Sequence, residues 1–224
     1  MIKCVLFDLD GTLLDDEEFT ISSKIIEGKK FGYDVKEEDV KKTLGLSTEN
    51  SSKFFKSIYG EDFPVEYLKG KRTEYIINFF KKNGLRLKPY VNEFLSFLKE
   101  NDYKICICTS TPKKCIEEYR KYGDLFDKFD HIVTGDMVQN GKPSPDIFLL
   151  GAKICGYSID ECLVIEDSNT GVEAALNAKI DVIMIPDLVK PLEKYLGCVK
   201  IYKDMSQVIE YLREKGVENG NFKY

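Results

Sequence analysis

Two aspartates one residue apart follow a short apolar run near the start of the chain. Residues 4–7 read Cys-Val-Leu-Phe, which is too short for a helix and typical of a strand buried on both faces of a sheet. Asp8 and Asp10 come directly after it. Two carboxylates that leave water together lose hydration and repel each other, unless a cation binds them. The pair therefore predicts a divalent cation here; the alternative is a polar strand-to-loop transition with both side chains wetted.

The rest of the chain supplies further polar groups at the ends of predicted strands. From residue 89 onwards, apolar runs of strand length alternate with helical periodicity. This alternation predicts an α/β fold, a doubly wound parallel sheet of Rossmann-like form with helices on both faces. Ligands bind beyond the carboxyl ends of the strands in such sheets. The polar residues predicted at or after the later strand ends are Thr109, Ser110, Lys142, Glu166 and Asp167.

These polar groups together favour a site that binds a metal ion and an anion. Four acids, two hydroxyls and one amine would meet in a single crevice. Acids alone would indicate a metal, whereas acids with a lysine and hydroxyls indicate a metal and an anion together. Mg²⁺ suits this set because it is a hard cation that prefers oxygen ligands and keeps water and phosphate oxygens beside one or two carboxylates.

A helical insertion interrupts the α/β pattern. Residues 16–87 show apolar positions at helical spacing and no strand-like alternation. We therefore predict an all-helical cap domain over 16–87, inserted into a core domain formed by 1–15 and 88–224.

Local signals predict how individual segments begin. Thr111 precedes Pro112, a pattern typical of an N-cap followed by a first-turn proline. Ser168 is predicted to cap the helix after the acid pair, and Gly171 to allow close packing. Residues 45–48, Gly-Leu-Ser-Thr, are predicted to form a loop in the cap.

The length, charge and residue counts of the chain argue against several classes of function. The 224 residues carry 33 Lys+Arg against 38 Asp+Glu, a net charge of -5 without a basic block, so a nucleic-acid partner is not expected. No segment approaches the ~20 apolar residues of a membrane helix, and no signal peptide is recognisable. The seven cysteines are typical of small buried residues in a reducing cytoplasm. The single histidine argues against a Ser-His-Asp hydrolase. We expect a cytoplasmic monomer or homodimer without membrane contact.

The sequence resembles the haloacid dehalogenase (HAD) superfamily, in its phosphatase branch with a C1-type helical cap, the group of β-phosphoglucomutase and phosphoglycolate phosphatase. Four motifs carry the resemblance, in order, over residues 2 to about 186. They are Asp8-Leu-Asp-Gly-Thr-Leu-Leu-Asp, Thr109, Lys142 in Gly-Lys-Pro-Ser-Pro-Asp-Ile-Phe, and Glu166-Asp-Ser-Asn-Thr-Gly.

The resemblance implies roles for the four acids. Asp8 would attack phosphorus and become an aspartyl phosphate. Asp10 would give a proton to the leaving oxygen and then accept one from water. Mg²⁺ would be held by the side chains of Asp8 and Asp167 and the backbone carbonyl of Asp10, with Glu166 binding directly or through water.

The resemblance also implies how the phosphoryl group is bound. Thr109 would contact its oxygens, together with the backbone amides that follow Asp8 and Thr109, those of Leu9, Asp10 and Ser110. Lys142 would neutralise charge between the nucleophile and the phosphate.

The implied function is Mg²⁺-dependent hydrolysis of a small phosphorylated metabolite. Few basic residues lie near Gly45, so we expect a neutral, polar leaving group such as a sugar or polyol, with a nucleoside as a further candidate. The inward-facing cap residues are expected among Asp15, Asp16, Leu46, Ser47 and Thr48.

Two alternatives stay open. A sugar phosphomutase of the β-phosphoglucomutase type would have a histidine five residues after the position of Asp15 and an arginine in the cap loop. Here those positions are Thr20 and, approximately, Thr48, which puts mutase activity in doubt. A non-catalytic binding or regulatory module of the same fold is the alternative from another class.

Overall fold

The computed structural model describes residues 1–44, 46 and 48–218, and it confirms the predicted α/β class. The strands are β1 (Cys4–Phe7), β2 (Lys104–Cys108), β3 (His131–Val133), β4 (Cys162–Glu166), β5 (Asp181–Met184) and β6 (Lys200–Ile201). They form one parallel sheet in the order β3-β2-β1-β4-β5-β6. β1 lies between β2 and β4, where the order of the strands reverses and a crevice opens at their carboxyl ends.

The helices alternate with the strands in the core and stand alone in the insertion. They are α1 (Glu17–Lys30), α2 (Glu37–Lys41), α3 (Thr48–Tyr59), α4 (Val65–Asn83), α5 (Val91–Glu100), α6 (Lys113–Tyr119), α7 (Asp146–Cys155), α8 (Asn169–Asn177) and α9 (Met205–Glu218). Of the helices described, none combines the length and the apolar character needed to cross a bilayer.

Strand β1 is buried on both faces, as its apolar run predicts. Val5 and Phe7 belong to the apolar cluster that includes residues of α5 and α9. Cys4 and Leu6 point the other way, into a cluster with residues of α7 and α8. None of the four side chains is exposed. This double burial fixes the position of the residues that follow β1.

Helices α1–α4 occupy the segment predicted as a cap. α1 packs along α4, and the segment has an apolar cluster of its own, formed by Val35, Val40, Phe55, Phe63 and Leu68. Its two connections to the core run side by side, because Leu14 and Leu87 form an antiparallel bridge and the Asp15 N–H donates to the Arg86 carbonyl at 2.8 Å. The domain boundaries at 15/16 and 87/88 stay a prediction.

One local prediction is wrong, one is wrong only at its last residue, and two are confirmed. α6 begins at Lys113 with Pro112 at the N-cap position, so Thr111 is not its cap. α3 begins at Thr48, so the predicted loop ends earlier; Gly45 and Ser47 lie outside the described residues. Ser168 does cap α8, accepting the Gly171 N–H at 3.0 Å. A Cβ atom on Gly171 would lie 1.6 Å from Glu166 Oε1, which confirms close packing there.

Candidate active site

Lys142 lies between two carboxylates at the carboxyl end of the sheet. Its ammonium group contacts Asp8 Oδ1 and lies 2.6 Å from Glu166 Oε1, and only 1% of its side chain is exposed. Burial raises the pKa of Asp8 to about 8, and the charge of Lys142 opposes that rise. The charge of Lys142 therefore favours the ionised form of Asp8.

Asp10 accepts hydrogen bonds from both the core and the cap. The hydroxyl of Thr111 donates to Asp10 Oδ2 at 2.6 Å, and that of Thr109 at 3.3 Å. The guanidinium of Arg72 donates to Oδ1 at 2.9 Å. Burial disfavours ionisation of Asp10, but the charge of Arg72 and the Thr111 hydroxyl outweigh it and lower its pKa. A carboxylate is a strong acceptor, which explains why Thr111 bonds here and does not cap α6.

Asp167 is a buried carboxylate that accepts a hydrogen bond from a neighbouring hydroxyl. Thr12 donates to its Oδ1 at 2.8 Å, and no basic side chain lies within 4 Å of it in the part of the chain that the structure describes. Burial, then the charges of Glu166 and Asp8, raise its pKa well above the usual value. Gly11 passes close by with φ +82°, and a Cβ atom there would lie 2.5 Å from Asp167 Oδ2. Only glycine fits this position without strain.

The donors around Asp8 and Asp167 fit Mg²⁺. The two carboxylates repel each other, and a divalent cation would offset both charges. Over residues 1–44, 46 and 48–218, no three acidic, histidine or cysteine side chains converge as a preformed metal cluster. Mg²⁺ is compatible with so few side-chain ligands, because it retains water and phosphate oxygens beside one or two carboxylates.

The carboxylate of Glu166 is fully engaged within the protein. Its Oε2 accepts the N–H groups of Asp167 and Ser168 at 2.9 and 2.8 Å and the Ser168 hydroxyl at 2.9 Å, while Oε1 accepts Lys142. These bonds fix the turn that carries Asp167. Metal ligation by Glu166, direct or through water, stays a prediction.

A cavity of about 130 Å³ lies between the core and the cap. The core residues that line it are Asp8, Asp10, Ser110, Thr111 and Pro112. Thr109 and Leu9 are fully buried and do not line it. The lining residues of the cap and its connections are Glu17, Thr20, Lys24, Thr43, Leu44, Leu46, Ser51, Phe55, Phe63, Val65, Leu68, Lys69 and Arg72. Charged groups from α1 and α4 thus face the nucleophile predicted from the sequence.

The predicted cap residues divide into three groups. Leu46 lines the cavity, and Asp16 is fully buried near Arg72. Asp15 does not line it and pairs instead with Arg86 and Lys88 at the cap connections. Ser47 lies outside the described residues, as does the side chain of Thr48.

Arg72, which sequence reasoning missed, connects the cap directly to Asp10. It extends from α4, donates from Nε to Thr20 Oγ1 at 2.6 Å and lies 3.6 Å from Asp16 Oδ2. It ends the run Lys-Gly-Lys-Arg over residues 69–72, which reads as a solvated helix face. The sequence therefore carried no local signal for it.

Replacing Arg72 with methionine is expected to lower kcat on the order of 10²-fold, because Asp10, which must accept a proton from water, loses the group that positions it from the cap. The measurement is steady-state hydrolysis of an aryl phosphate with Mg²⁺. Lys71→Met is the matched control, since Lys71 is the neighbouring cation and pairs with Glu74 outside the cavity. Equal activity of the two variants would contradict a positioning role for Arg72.

Glu17 is expected to make stability depend on pH. It is 5% exposed, its Oε2 has no hydrogen-bond partner among the described residues, and burial raises its pKa from 4.5 to about 7. Between pH 4.5 and about pH 7, Glu17 is ionised in the unfolded state but still protonated in the folded state. A rise in pH across this range therefore lowers the free energy of unfolding by about 3 kcal/mol. Because Gln cannot ionise, Glu17→Gln should show a shallower fall in urea unfolding free energy. Parallel pH curves for the two proteins would rule this out.

Comparison with known proteins identifies a family, two similar relatives and a similar solved structure. The family described as "Haloacid dehalogenase-like hydrolase" matches residues 5–185. The chain is 34% identical over 194 residues to the Drosophila melanogaster "Probable pseudouridine-5'-phosphatase", covering 82% of this chain and 81% of the relative. It is 31% identical over 180 residues to the Thermotoga maritima "Phosphorylated carbohydrates phosphatase", covering 80% and 83%. A hydrolase structure from Pseudomonas syringae superposes with a TM-score of 0.82 at 26% identity, covering 95% and 98%.

The family match spans most of the chain, and it includes residues 5–7 of β1, the Asp8–Asp10 pair, Lys142 and the Glu166–Asp167 pair. The relatives named above are phosphatases and match over four fifths of their length. The resemblance stated from the four motifs is thereby confirmed. This chain belongs to the haloacid dehalogenase-like hydrolase family.

Proposed function

We propose that the chain is a Mg²⁺-dependent phosphatase that hydrolyses a small phosphomonoester, of a sugar or another metabolite, through an aspartyl phosphate on Asp8. The observation that carries the proposal is the pairing of Asp8 with buried Lys142 beside Asp10, at the edge of a cavity covered by the cap. A carboxylate nucleophile, an adjacent cation and a second carboxylate are the groups that phosphoryl transfer requires.

The proposed reaction has two steps, in which each carboxylate has the role that the family resemblance implies. An oxygen of Asp8 forms a bond to phosphorus while the bond to the leaving oxygen breaks. Asp10, which is ionised in the free protein, first takes up a proton that a monoanionic phosphomonoester brings, and then gives it to the leaving oxygen. Water then attacks phosphorus, Asp10 takes its proton, and the bond to Asp8 breaks. When bound, Mg²⁺ supplies positive charge to the transferring phosphoryl group.

The remaining residues bind the phosphoryl group and exclude water. Lys142, the Thr109 hydroxyl and the backbone amides of Leu9, Asp10 and Ser110 are assigned to its oxygens, where they stabilise the charge of the transition state. The cap helices cover the site and exclude bulk solvent from it. The metal ligands are assigned to Asp8, Asp167 and the Asp10 carbonyl.

The names of the relatives support a phosphomonoester substrate. One is named for a nucleoside phosphate and the other for phosphorylated carbohydrates. Both names describe phosphate esters of small hydroxylated molecules. The two relatives are named for different leaving groups, so their names do not identify the leaving group of this chain. We assign its selection to the residues of the cap.

The test is hydrolysis of a generic aryl phosphate with Mg²⁺ and after chelation of all divalent cations. We expect turnover that disappears on chelation and returns when Mg²⁺ is added back. Turnover that does not respond to chelation would contradict the metal assignment. No turnover under either condition would favour the non-catalytic module.

A sugar phosphomutase is the second candidate, favoured by one observation. Lys24 and Arg72 bring two cations to the cap side of the cavity, where a second phosphate of a bisphosphate could lie. Thr20 stands against it, because a histidine is expected at that position. Conversion of a hexose 1-phosphate to the 6-phosphate, primed by a bisphosphate, would support the mutase, and its absence with Mg²⁺ present would remove it.

A further inference from the structure

Lys24 is a cation of the cap that lines the cavity without an anionic partner among the described residues. It lies on α1, and its ammonium nitrogen is 3.3 Å from Thr43 Oγ1 and 4.9 Å from the centre of the Phe55 ring. The Thr43 hydroxyl donates to the Val40 carbonyl at 2.7 Å, so it can only accept from Lys24. An ammonium group has three donors, and Thr43 satisfies one of them.

The surroundings of Lys24 make this arrangement costly. Within the described ranges no carboxylate lies within 4 Å of its ammonium nitrogen, and Glu17 acts on it only from beyond that distance. Burial, and then the charge of Arg72, lower the pKa of Lys24 to about 8. The group is still mainly charged near neutral pH. A partly buried charge without a counter-ion within 4 Å is unfavourable, and an anion that enters the cavity would relieve the cost.

The cap wall of the cavity has an apolar part and a polar part, and the polar part beside Lys24 is formed by Glu17, Thr20, Thr43, Ser51, Lys69 and Arg72. Phe55, Phe63 and Leu68 are at most 3% exposed and form an apolar floor with Leu44 and Val65. A leaving group that packs an apolar face on this floor and carries an anion would match both the floor and Lys24.

We propose that Lys24 binds an anionic oxygen of the leaving group, so that the preferred substrates are phosphomonoesters with a second anion remote from the phosphoryl group that is transferred. The second anion is a carboxylate or another phosphate. This inference rests on the proposed phosphatase function and names its substrate class. It departs from the neutral leaving group expected from the Gly45 region, because the cations lie on α1 and α4.

The test uses pairs of substrates that differ in this anion. 3-Phosphoglycerate and glycerol 3-phosphate differ by a carboxylate in place of a hydroxymethyl group. Fructose 1,6-bisphosphate and fructose 1-phosphate differ by the second phosphate. We expect the wild-type protein to prefer the anionic member of at least one pair by roughly 10- to 100-fold in kcat/KM, the effect of one charge-assisted hydrogen bond. The pair that shows the preference identifies the anion.

Three variants locate the preference at Lys24. Lys24→Met should remove it, mainly through a higher KM for the anionic member, because a remote contact contributes equally to ground-state and transition-state binding. Lys24→Arg should keep it, and this variant also serves if the methionine variant does not fold. Lys53→Met is the control, since Lys53 is exposed on α3, pairs with Glu49 and does not line this cavity.

The outcomes separate this inference from the proposed function. Equal turnover, or no turnover, of both members of both pairs by the wild-type protein would overturn the role of Lys24. An equal fall in kcat/KM for both members of a pair in the Lys24→Met variant would also overturn it. The proposed function is tested separately by wild-type turnover of the aryl phosphate, so a protein that hydrolyses it without any anion preference refutes this inference alone.

Discussion

Asp8→Asn is expected to lower aryl phosphate turnover by about 10⁴-fold or more, because a neutral amide cannot attack phosphorus and form the acyl phosphate. The substitution keeps the size of the side chain and removes one negative charge from a buried site. The substituted protein should still fold, because Lys142 keeps Glu166 as its ionic partner. The measurement is steady-state hydrolysis with saturating Mg²⁺, with the thermal midpoint recorded on the same samples.

A second aspartate at the same edge of the sheet provides the control for this substitution. Asp136 follows β3, is exposed, and accepts the Thr134 hydroxyl at 2.6 Å outside the cavity. Asp136→Asn should retain wild-type turnover. Comparable turnover of Asp8→Asn and the wild-type protein would show that another group attacks phosphorus.

Lys142→Met is expected to reduce both stability and activity. It leaves Asp8 and Glu166 buried without their cation, and removing one partner of a buried ion pair costs about 3–5 kcal/mol. Without Lys142, the pKa of Asp8 should rise further, so less of the nucleophile is ionised. We expect turnover to fall by about 10³-fold. Urea unfolding and steady-state kinetics measure the two effects.

A second substitution tests the electrostatic origin of the stability loss. Adding Glu166→Gln to Lys142→Met removes one of the uncompensated charges, so the double variant should recover part of the stability but not the activity. Lys153→Met, on the exposed face of α7, is the control for a change of lysine to methionine. A Lys142→Met protein as stable as this control would contradict a buried ion pair.

The sheet and the strand-end residues could be predicted because local sequence determines them. A strand buried on both faces is apolar without interruption, and its carboxyl end is marked by the first polar residue, as at Asp8 and Glu166. The parallel order then brings such ends together. Strand β6 could not be recognised, because its two residues, Lys200–Ile201, are too few to show a pattern.

The cap side of the site could not be predicted, because tertiary packing alone decides it. Lys24 and Arg72 lie on helices in which many positions are charged, and nothing local separates a solvated lysine from one that faces a cavity. Their positions follow from the packing of α1 along α4 and of the cap onto the core. Thr111 was misassigned for a related reason, since its partner Asp10 is distant in sequence.

The most direct test of the account is to trap the intermediate in the Asp10→Asn variant. An aryl phosphate loses its leaving group without a proton from Asp10, whereas cleavage of the aspartyl phosphate needs Asp10 to accept a proton from water. The variant, incubated with the aryl phosphate and Mg²⁺ and digested under acid conditions, should show one added phosphoryl group on Asp8 by mass spectrometry. A phosphoryl group on another residue, or release of phosphate with Asp8 unmodified throughout, would contradict Asp8 as the nucleophile.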